Sequence, residues 1–175
     1  MSKNTQLPSL SALAASNSWM RALFITLLVM MCPTNGRSQQ LRGLAGKCLD
    51  VSGGNPNDGT PIILWPCREN APNQQWNYAL KSTIRGLAGK CLDVAGGNPN
   101  DGTPIILWSC HGGPNQQWYH LFDDHTIRGL GGKCLDVTGG SPNDGTRIIL
   151  WPCHGGPNQQ WRYVTPPARP GRPID

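Results

Sequence analysis

Short apolar segments alternate with clusters of Gly, Pro, Asn and Asp along the chain from about residue 39 onward, with no helical periodicity of 3.6 residues. This pattern predicts β-strands near Leu41–Leu44, Lys47–Val51, Pro61–Cys67 and Gln74–Tyr78. Between the second and third of these strands lies the string Gly53–Gly59, whose Asp-Gly step favours a tight turn. The segment therefore reads as a unit of four short strands.

This unit is repeated three times. The central copy, Gly89–Trp118, reads GKCLDVAGGNPNDGTPIILWSCHGGPNQQW, and near-copies occupy Gly46–Trp76 and Gly132–Trp161. A period of 43 residues indicates a repeat architecture in which no unit buries its apolar face alone. Three units of four strands predict an all-β fold of twelve short strands, and the closed pseudo-threefold barrel capped by hairpins, the β-trefoil, fits this count. A repeating solenoid fits less well, because it need not stop at three units.

The first 38 residues differ from the rest, since they contain no Asp or Glu and include the apolar run Ala22–Met31. That run fits a secretory signal and is shorter than the ~20 apolar residues of a membrane-spanning helix. Arg21 provides a positive flank, and small residues allow cleavage before Gln39, although a retained anchor is the alternative. Met20 is a possible true start. We therefore predict a leader over 1–38, repeats over 39–81, 82–123 and 124–164, and a Pro- and Arg-rich disordered tail or linker stub over 165–175.

Six of the seven cysteines fall two per repeat, 19 residues apart, at Cys48 and Cys67, Cys91 and Cys110, and Cys134 and Cys153. Six cysteines allow fifteen connectivities. The threefold repetition favours pairing within each repeat, and a secretory leader supplies the oxidising compartment. Zinc is the competing interpretation, because His111 and His154 each follow a cysteine. The chain has no CxxC pair and carries Arg68 at that position in the first repeat, so we expect no metal and no cofactor.

Each repeat combines Cys-Leu-Asp-Val, Leu-Trp-x-Cys and Gln-x-Trp in the same order. Three such units resemble the ricin B-type lectin domain, also known as the family 13 carbohydrate-binding modules, over Gln39–Val164. The resemblance implies a β-trefoil with one shallow sugar pocket in each repeat, built from an acidic residue, an aromatic platform and an amide. The implied partner is a glycan of the galactose or xylan type.

Carried over position by position, the resemblance assigns four residues to each pocket. Site 1 would use Asp50, Trp65, Asn73 and Gln74; site 2 Asp93, Trp108, Asn115 and Gln116; and site 3 Asp136, Trp151, Asn158 and Gln159. These residue types suit a sugar, whose C–H patch lies against an indole face while an ionised carboxylate accepts its hydroxyls. The resemblance also implies that the glutamines hold the aspartates in place rather than touch the sugar.

The two tryptophans of a repeat have different expected roles. If Ile62 and Leu64 face the core, strand alternation directs Trp65 to the other face, towards the site. The tryptophans of the Gln-x-Trp motifs are expected in the core, namely Trp76, Trp118 and Trp161. Edge packing beside the disulfides remains the alternative for the platform tryptophans, and a solvated strand end for the aspartates. Many family members carry Gln where this chain has Ile63, Ile106 and Ile149, so one polar contact is missing.

Other function classes find little support in the sequence. The three aspartates are separated by the threefold repetition rather than paired across one cleft, and Asp123-Asp124 lies in a connector, so no enzyme activity is expected. The net charge of +5 falls to +1 between residues 39 and 164, where ten Lys and Arg face nine Asp and Glu, which argues against nucleic acid. We predict a secreted, extracellular, monomeric lectin without a membrane span after signal cleavage. The alternatives are a trefoil scaffold that binds or inhibits proteins, or the binding module of a truncated secreted glycoside hydrolase.

Overall fold

A computed structural model describes residues 39–165, apart from the side chain of Leu80. The predicted leader and nearly all of the predicted tail lie outside these residues. Twelve strands and ten single-turn 3₁₀ segments make up the described chain, which contains no α-helix. The strands are β1 Gln40–Arg42, β2 Cys48–Val51, β3 Thr60–Trp65, β4 Asn77–Ala79, β5 Thr83–Arg85, β6 Cys91–Val94, β7 Ile105–Trp108, β8 Tyr119–His120, β9 Ile127–Arg128, β10 Cys134–Val137, β11 Ile148–Trp151 and β12 Arg162–Val164.

The strands close into a barrel with threefold repetition. One sheet has the order β12-β1-β2-β3-β7-β6-β5-β4 and the other β11-β10-β9-β8. The amide of Gly59 donates to the Leu107 carbonyl at 2.9 Å, and equivalent 2.9 Å bonds run from Gly102 to Leu150 and from Gly145 back to Leu64. Each repeat therefore hydrogen-bonds to the next and the third to the first. This is the β-trefoil predicted from the count of strands.

Strand ends differ from the prediction where a local feature stops the ladder. The first strand ends at Arg42 rather than Leu44, because the chain turns into a 3₁₀ segment in which Ala45 has a positive φ of 54°. The third strand ends at Trp65 rather than Cys67, and the equivalent strand of repeat 2 also ends at its tryptophan, Trp108. Gln74 belongs to a 3₁₀ segment rather than to β4, its amide bonding to the Ala71 carbonyl at 3.0 Å.

The core contains the apolar residues that strand alternation directs inward. Ile62 and Leu64 are fully buried, as are their counterparts in the other two repeats. The Gln-x-Trp tryptophans are also fully buried, which confirms their core role, and the Trp76 indole N–H donates to the Leu49 carbonyl at 2.9 Å. Gly86 lies against the benzo ring of Trp76, where an added Cβ would come within 2.5 Å of the ring. The glycine is thus part of the core packing.

Three disulfide bonds each close one repeat. They join Cys48 to Cys67, Cys91 to Cys110, and Cys134 to Cys153, with Cα–Cα distances of 5.0, 5.1 and 5.1 Å. Each bond ties the first residue of an inner strand to the loop that follows the platform tryptophan. Between residues 39 and 165 no group of His, Cys, Asp or Glu side chains is arranged to hold a metal ion. The same stretch contains no helix long and apolar enough to cross a membrane.

Candidate glycan-binding sites

Each repeat carries its aspartate on the face of an inner strand that points away from the core. Asp93 lies in β6 opposite Ile106 of β7, while the neighbours Leu92 and Val94 point inward and are fully buried. The carboxylate is nevertheless only 2% exposed, because a 3₁₀ segment, Pro114–Gln116, covers it. Asp50 and Asp136 have the same position and the same exposure in their repeats.

Two amide side chains from the covering segment hold each carboxylate. In site 2, Gln116 Nε2 donates to Asp93 Oδ2 at 2.7 Å and Asn115 Nδ2 donates to both carboxylate oxygens at 2.9 Å. Gln116 is fully buried, and its Oε1 accepts the backbone N–H of His111 at 2.8 Å. The buried glutamine therefore orients the aspartate from inside the protein, while the asparagine donates to the carboxylate from the solvent side. Sites 1 and 3 repeat the Gln and Asn bonds to their aspartates.

A histidine adds a third donor in sites 2 and 3. His111 Nε2 lies 3.4 Å from Asp93 Oδ2, and its Nδ1 accepts the N–H of Gly113 at 3.1 Å. Because Nδ1 accepts, Nε2 carries a ring proton and faces the carboxylate as a donor. His154 makes the equivalent contacts to Asp136 and Gly156. Neither histidine is among the residues that the sequence assigns to the sites.

Burial changes the acidity of these carboxyls. Loss of water raises the pKa of Asp50 and of Asp93 above the ordinary value of 3.8, and the Gln and Asn donors offset part of that rise. An ionised aspartate held in this way keeps a lone pair for an external donor such as a sugar hydroxyl. The arrangement is a pre-formed hydrogen-bond acceptor.

The platform tryptophans stand at the mouths of the sites. Trp108 and Trp151 are each 40% exposed, in contrast to the fully buried Gln-x-Trp residues. In site 3 a cleft of about 450 Å³ brings together Asp136, Trp151, His154 and Asn158. Its remaining wall consists of Ile149 and the 3₁₀ segment Thr138–Gly140. In site 3 the structure therefore brings the predicted aspartate, tryptophan and asparagine together, with Gln159 behind the aspartate rather than in the cleft wall.

Each platform is also supported by the preceding repeat, which the sequence did not predict. A Cβ on Gly59, in the turn of repeat 1, would lie 3.9 Å from the Trp108 ring of repeat 2. Beside it, Asp58 Oδ1 accepts from Lys90 Nζ at 2.6 Å and from the Ser109 amide at 2.8 Å. Lys90 is the principal reason that the pKa of Asp58 is lowered. The corresponding pairs are Lys133 with Asp101 and Lys47 with Asp144.

Site 1 departs from the other two. Arg68 takes the place of the histidine, in a loop with one extra residue whose Asn70 has a positive φ of 57°. The guanidinium carbon of Arg68 lies 5.8 Å from the centre of the Trp65 ring. Trp65 is only partly exposed, less than Trp108. Gln40, a residue that the other repeats replace with threonine, fixes this loop by donating to the Arg68 carbonyl at 2.8 Å.

The acidic connector between repeats 2 and 3 forms a turn rather than a cleft. Asp124 accepts from the amide and hydroxyl of Thr126 at 2.9 and 2.7 Å and pairs with Arg128 at 2.9 Å. These donors lower the pKa of Asp124 to about 2, the value expected of a carboxylate that ends a turn. Nearby, His120 Nε2 lies 3.1 Å from the Trp161 carbonyl. These contacts explain both side chains as structural.

Comparison with known proteins agrees with this geometry. The family model of the ricin-type beta-trefoil lectin domain matches residues 37–161. Beta-galactoside-specific lectin 2 of Viscum album is 41% identical over 54 residues, which cover 30% of this chain and 10% of that lectin. The chain thus matches about a tenth of the length of its curated relatives.

Solved structures extend the likeness over the whole barrel. The C-half of the earthworm R-type lectin in complex with GalNAc has a TM-score of 0.62 and 26% identity, covering 74% of this chain and 99% of that one. The exo-beta-1,3-galactanase 1,3Gal43A from Clostridium thermocellum has a TM-score of 0.68 and 29% identity, covering 75% and 31%. The closed barrel of twelve strands is a β-trefoil, the fold that the family model describes. The chain belongs to the ricin-type beta-trefoil lectin domain family.

Proposed function

We propose that this protein is a secreted lectin that binds glycans through up to three shallow sites. The observation that carries the proposal is the contrast within each repeat between an aspartate that is almost fully buried and a tryptophan that is partly exposed beside it. A structural tryptophan would be covered, and a structural carboxylate would have its lone pairs filled by the protein. A sugar ring matches both needs, because its C–H patch stacks on the indole while its hydroxyls donate to the carboxylate.

A galactose-type sugar is the ligand that the relatives favour. The earthworm lectin is described in complex with GalNAc, and the Viscum album protein as beta-galactoside-specific. A bitter-gourd homologue that is 25% identical is described with alpha-methyl-D-galactoside. Xylan-type polymers are the second ligand class. The platform strand carries Ile106 where many family members have a glutamine, so the carboxylate, asparagine and histidine must supply the polar contacts in site 2.

Affinity is expected to depend on multivalency. A single shallow site that offers one aromatic face and a few hydrogen bonds is expected to bind in the millimolar range, about −4 kcal/mol. Three sites separated by the threefold repetition can engage one polymer or surface together, which raises the apparent affinity by factors of roughly 10² to 10⁴. Secretion is part of the proposal, supported by the resemblance of the first 38 residues to a secretory leader and by the three disulfide bonds, which persist in oxidising compartments.

A second candidate is a glycan-binding module that works beside a catalytic domain. The galactanase from Clostridium thermocellum supports it, because this chain covers only 31% of that enzyme. The two candidates share the same sites and the same ligand class. They differ in whether the binding domain acts alone, and an intact-mass measurement on the protein isolated from its source would separate them.

The test is binding of the full, disulfide-bonded chain to a panel of immobilised glycans that includes galactosides and xylan. Beside the wild type stand two triple variants, one with Asp50, Asp93 and Asp136 changed to Ala and one with the three platform tryptophans changed to Ala. Asp124→Asn is the matched control, because it removes a carboxylate that belongs to a turn. We expect wild type and control to bind and both triple variants to lose binding while staying folded. No binding of folded wild type to any glycan would contradict the proposal.

A further inference from the structure

Site 1 carries a permanently charged arginine, without an ion-pair partner in the described part of the chain, where sites 2 and 3 carry a histidine. The guanidinium of Arg68 lies 5.8 Å from the centre of the Trp65 ring, a distance at which a cation is attracted to an indole face. Among residues 39–165 no carboxylate lies within ion-pair distance of it, and the neighbouring Glu69 is exposed. The charge still reaches the base of the site, since it helps to lower the pKa of Asp50 against the larger effect of burial.

We infer that site 1 selects an acidic sugar, one bearing a carboxylate or a sulfate, whereas sites 2 and 3 take neutral sugars. The inference rests on the proposed function and concerns only which ligand the first repeat prefers. The class is named by the chemistry of Arg68, whose planar guanidinium always stays charged and binds carboxylates and sulfates through two parallel hydrogen bonds.

The preference of site 1 for an acidic sugar has two causes, an unfavourable effect on neutral sugars and a favourable effect on acidic ones. A neutral sugar that stacks on Trp65 must displace Arg68 from the ring, and it gains no charged partner in return. It also finds Asp50 held by only the two amides, without the imidazole that faces Asp93 in site 2. An acidic sugar displaces the same contact but forms a charge-assisted pair with the released guanidinium. Selectivity of this kind combines a cost for the wrong ligand with a gain for the right one.

The loop of repeat 1 is built to keep Arg68 in place. Its backbone is held from both sides, because the Arg68 amide donates to Gln74 Oε1 at 2.7 Å and the Arg68 carbonyl accepts from Gln40 at 2.8 Å. Gln40 has no amide counterpart in the other repeats, where Thr83 and Thr126 occupy its position. The arginine thus comes with a loop one residue longer and with its own supporting side chain, rather than as an isolated exchange for histidine.

The experiment uses two probes that differ only at C6, methyl α-galactopyranoside and the methyl glycoside of galacturonic acid. Binding to site 1 is isolated in the full chain with Trp108 and Trp151 changed to Ala, and binding to sites 2 and 3 in Trp65→Ala. Since Trp108 and Trp151 are 40% exposed, their removal leaves the core intact. In parallel, NMR titration of the unaltered protein follows the Trp65 and Trp108 indole N–H signals separately and requires no substitution.

We expect site 1 to favour the uronate over the galactoside by roughly three- to tenfold at low salt, with the preference shrinking as salt is raised. Arg68→Gln and Arg68→His should remove that preference, and Arg68→Lys should keep only part of it, because an ammonium lacks the planar fork. Arg85→Gln, which removes an exposed arginine of β5, is the matched charge control and should change nothing.

An unchanged ratio in Arg68→Gln, or a wild-type site 1 that prefers the galactoside, would overturn the inference. If Trp65→Ala binds the galactoside while site 1 binds neither probe, the inference fails and the proposed function stands. If folded protein binds neither these probes nor any glycan of the panel in any variant, the proposed function fails and the inference with it.

Discussion

Lys90 and Asp58 form an ion pair across two repeats, with Lys90 Nζ 2.6 Å from Asp58 Oδ1. Lys90 directly precedes the first cysteine of repeat 2, and Asp58 belongs to the turn of repeat 1 that packs against Trp108. The same pairing joins repeat 2 to repeat 3 and repeat 3 to repeat 1. A turn of the preceding repeat therefore lies beside the tryptophan of each candidate site, and the ion pairs link the three repeats in a ring.

This ring predicts that Asp58→Asn, a change in repeat 1, acts on site 2 rather than on site 1. The substitution removes the charge that faces Lys90 and loosens the turn beside Trp108. Because exposed ion pairs contribute only about 0.2–1 kcal/mol, we expect a loss of roughly two- to fivefold in affinity at site 2. NMR titration of the Trp108 and Trp65 indole signals with the bound sugar distinguishes the two sites.

Two further variants test whether each turn aspartate acts on the site of the next repeat. Asp101→Asn should weaken site 3 and leave site 2 unchanged, since Asp101 pairs with Lys133 of repeat 3. Exchanging the charges of Asp58 and Lys90 should restore part of the binding at site 2. A change at Trp65 in Asp58→Asn, with none at Trp108, would show that the turn serves its own repeat instead.

A second prediction concerns the contact between Gly86 and Trp76. Gly86→Ala should lower the free energy of unfolding by about 2–4 kcal/mol, because the new Cβ would lie 2.5 Å from the buried indole and the core has little room to adjust. Gly46→Ala is the control: its φ is 69° but nothing lies within 4 Å, so only about 1 kcal/mol should be lost to backbone strain. Urea denaturation measures both.

A double-mutant cycle identifies the cause. If the clash with the six-membered ring of the indole destabilises Gly86→Ala, then adding Trp76→Phe should cost less than the sum of the two single changes. Strictly additive losses would mean that Gly86 is needed for its backbone and not for the space it leaves to the ring.

Much of the fold could be predicted because the same pattern of apolar and turn residues occurs in all three repeats. Strand alternation placed Ile62 and Leu64 inside, and Trp76 was correctly assigned to the core. The strand ends were less accurate, since the stop after Arg42 depends on a 3₁₀ turn in which Ala45 takes an unusual backbone angle. Apolar periodicity carries no information about such a turn.

The residues of each candidate site could be predicted from the sequence, but the contacts between one repeat and the next could not. The sequence places Asp93, Asn115 and Gln116 in one repeat, and the structure shows that the asparagine and the glutamine both donate to the same carboxylate. The turn of the preceding repeat beside Trp108 was missed, because its position depends on how three similar units pack around an axis. The recurring Lys directly before each first cysteine was the available signal, and it becomes informative only beside the recurring turn aspartate.

The disulfides provide a third prediction. Changing Cys91 and Cys110 together to Ala opens a loop of 19 residues, which should lower the free energy of unfolding by about 3 kcal/mol through the entropy of the unfolded chain. Trp108 adjoins the opened loop, so site 2 should weaken more than site 1. Denaturation with and without reductant, followed by glycan titration, checks both results. Equal weakening of all sites would point to general loss of structure.

The last prediction is that binding at site 2 is lost in acid while the protein remains folded. Burial raises the pKa of Asp93 above 3.8, and a protonated carboxyl loses its charge-assisted acceptance of sugar hydroxyls. Affinity at site 2 should therefore fall as pH decreases through that raised pKa, by up to about tenfold per pH unit below it.

Stability responds to Asp93 in the opposite direction. Because its pKa is higher in the folded state than in the unfolded state, the unfolded chain releases the proton first as pH rises. The contribution of Asp93 to stability is thus greatest below 3.8 and is reduced as pH rises through the raised pKa. Acid consequently removes binding without removing stability through this residue. Carboxylates whose pKa is lowered, such as Asp124 at about 2, lose their stabilising effect only below 3.8.

The measurement combines three readouts over the acid range on the protein with Trp65 and Trp151 changed to Ala, which keeps the platform tryptophan of site 2 alone: NMR titration of the Asp93 carboxyl carbon, glycan binding, and circular dichroism. We expect binding and the Asp93 signal to titrate together above pH 3.8, while the dichroism spectrum stays native. His111→Gln serves as the control for imidazole protonation, because His111 Nε2 faces the same carboxylate at 3.4 Å. A binding midpoint at or below 3.8, or one that moves with the loss of native dichroism, would show that the ionised Asp93 is not the acceptor.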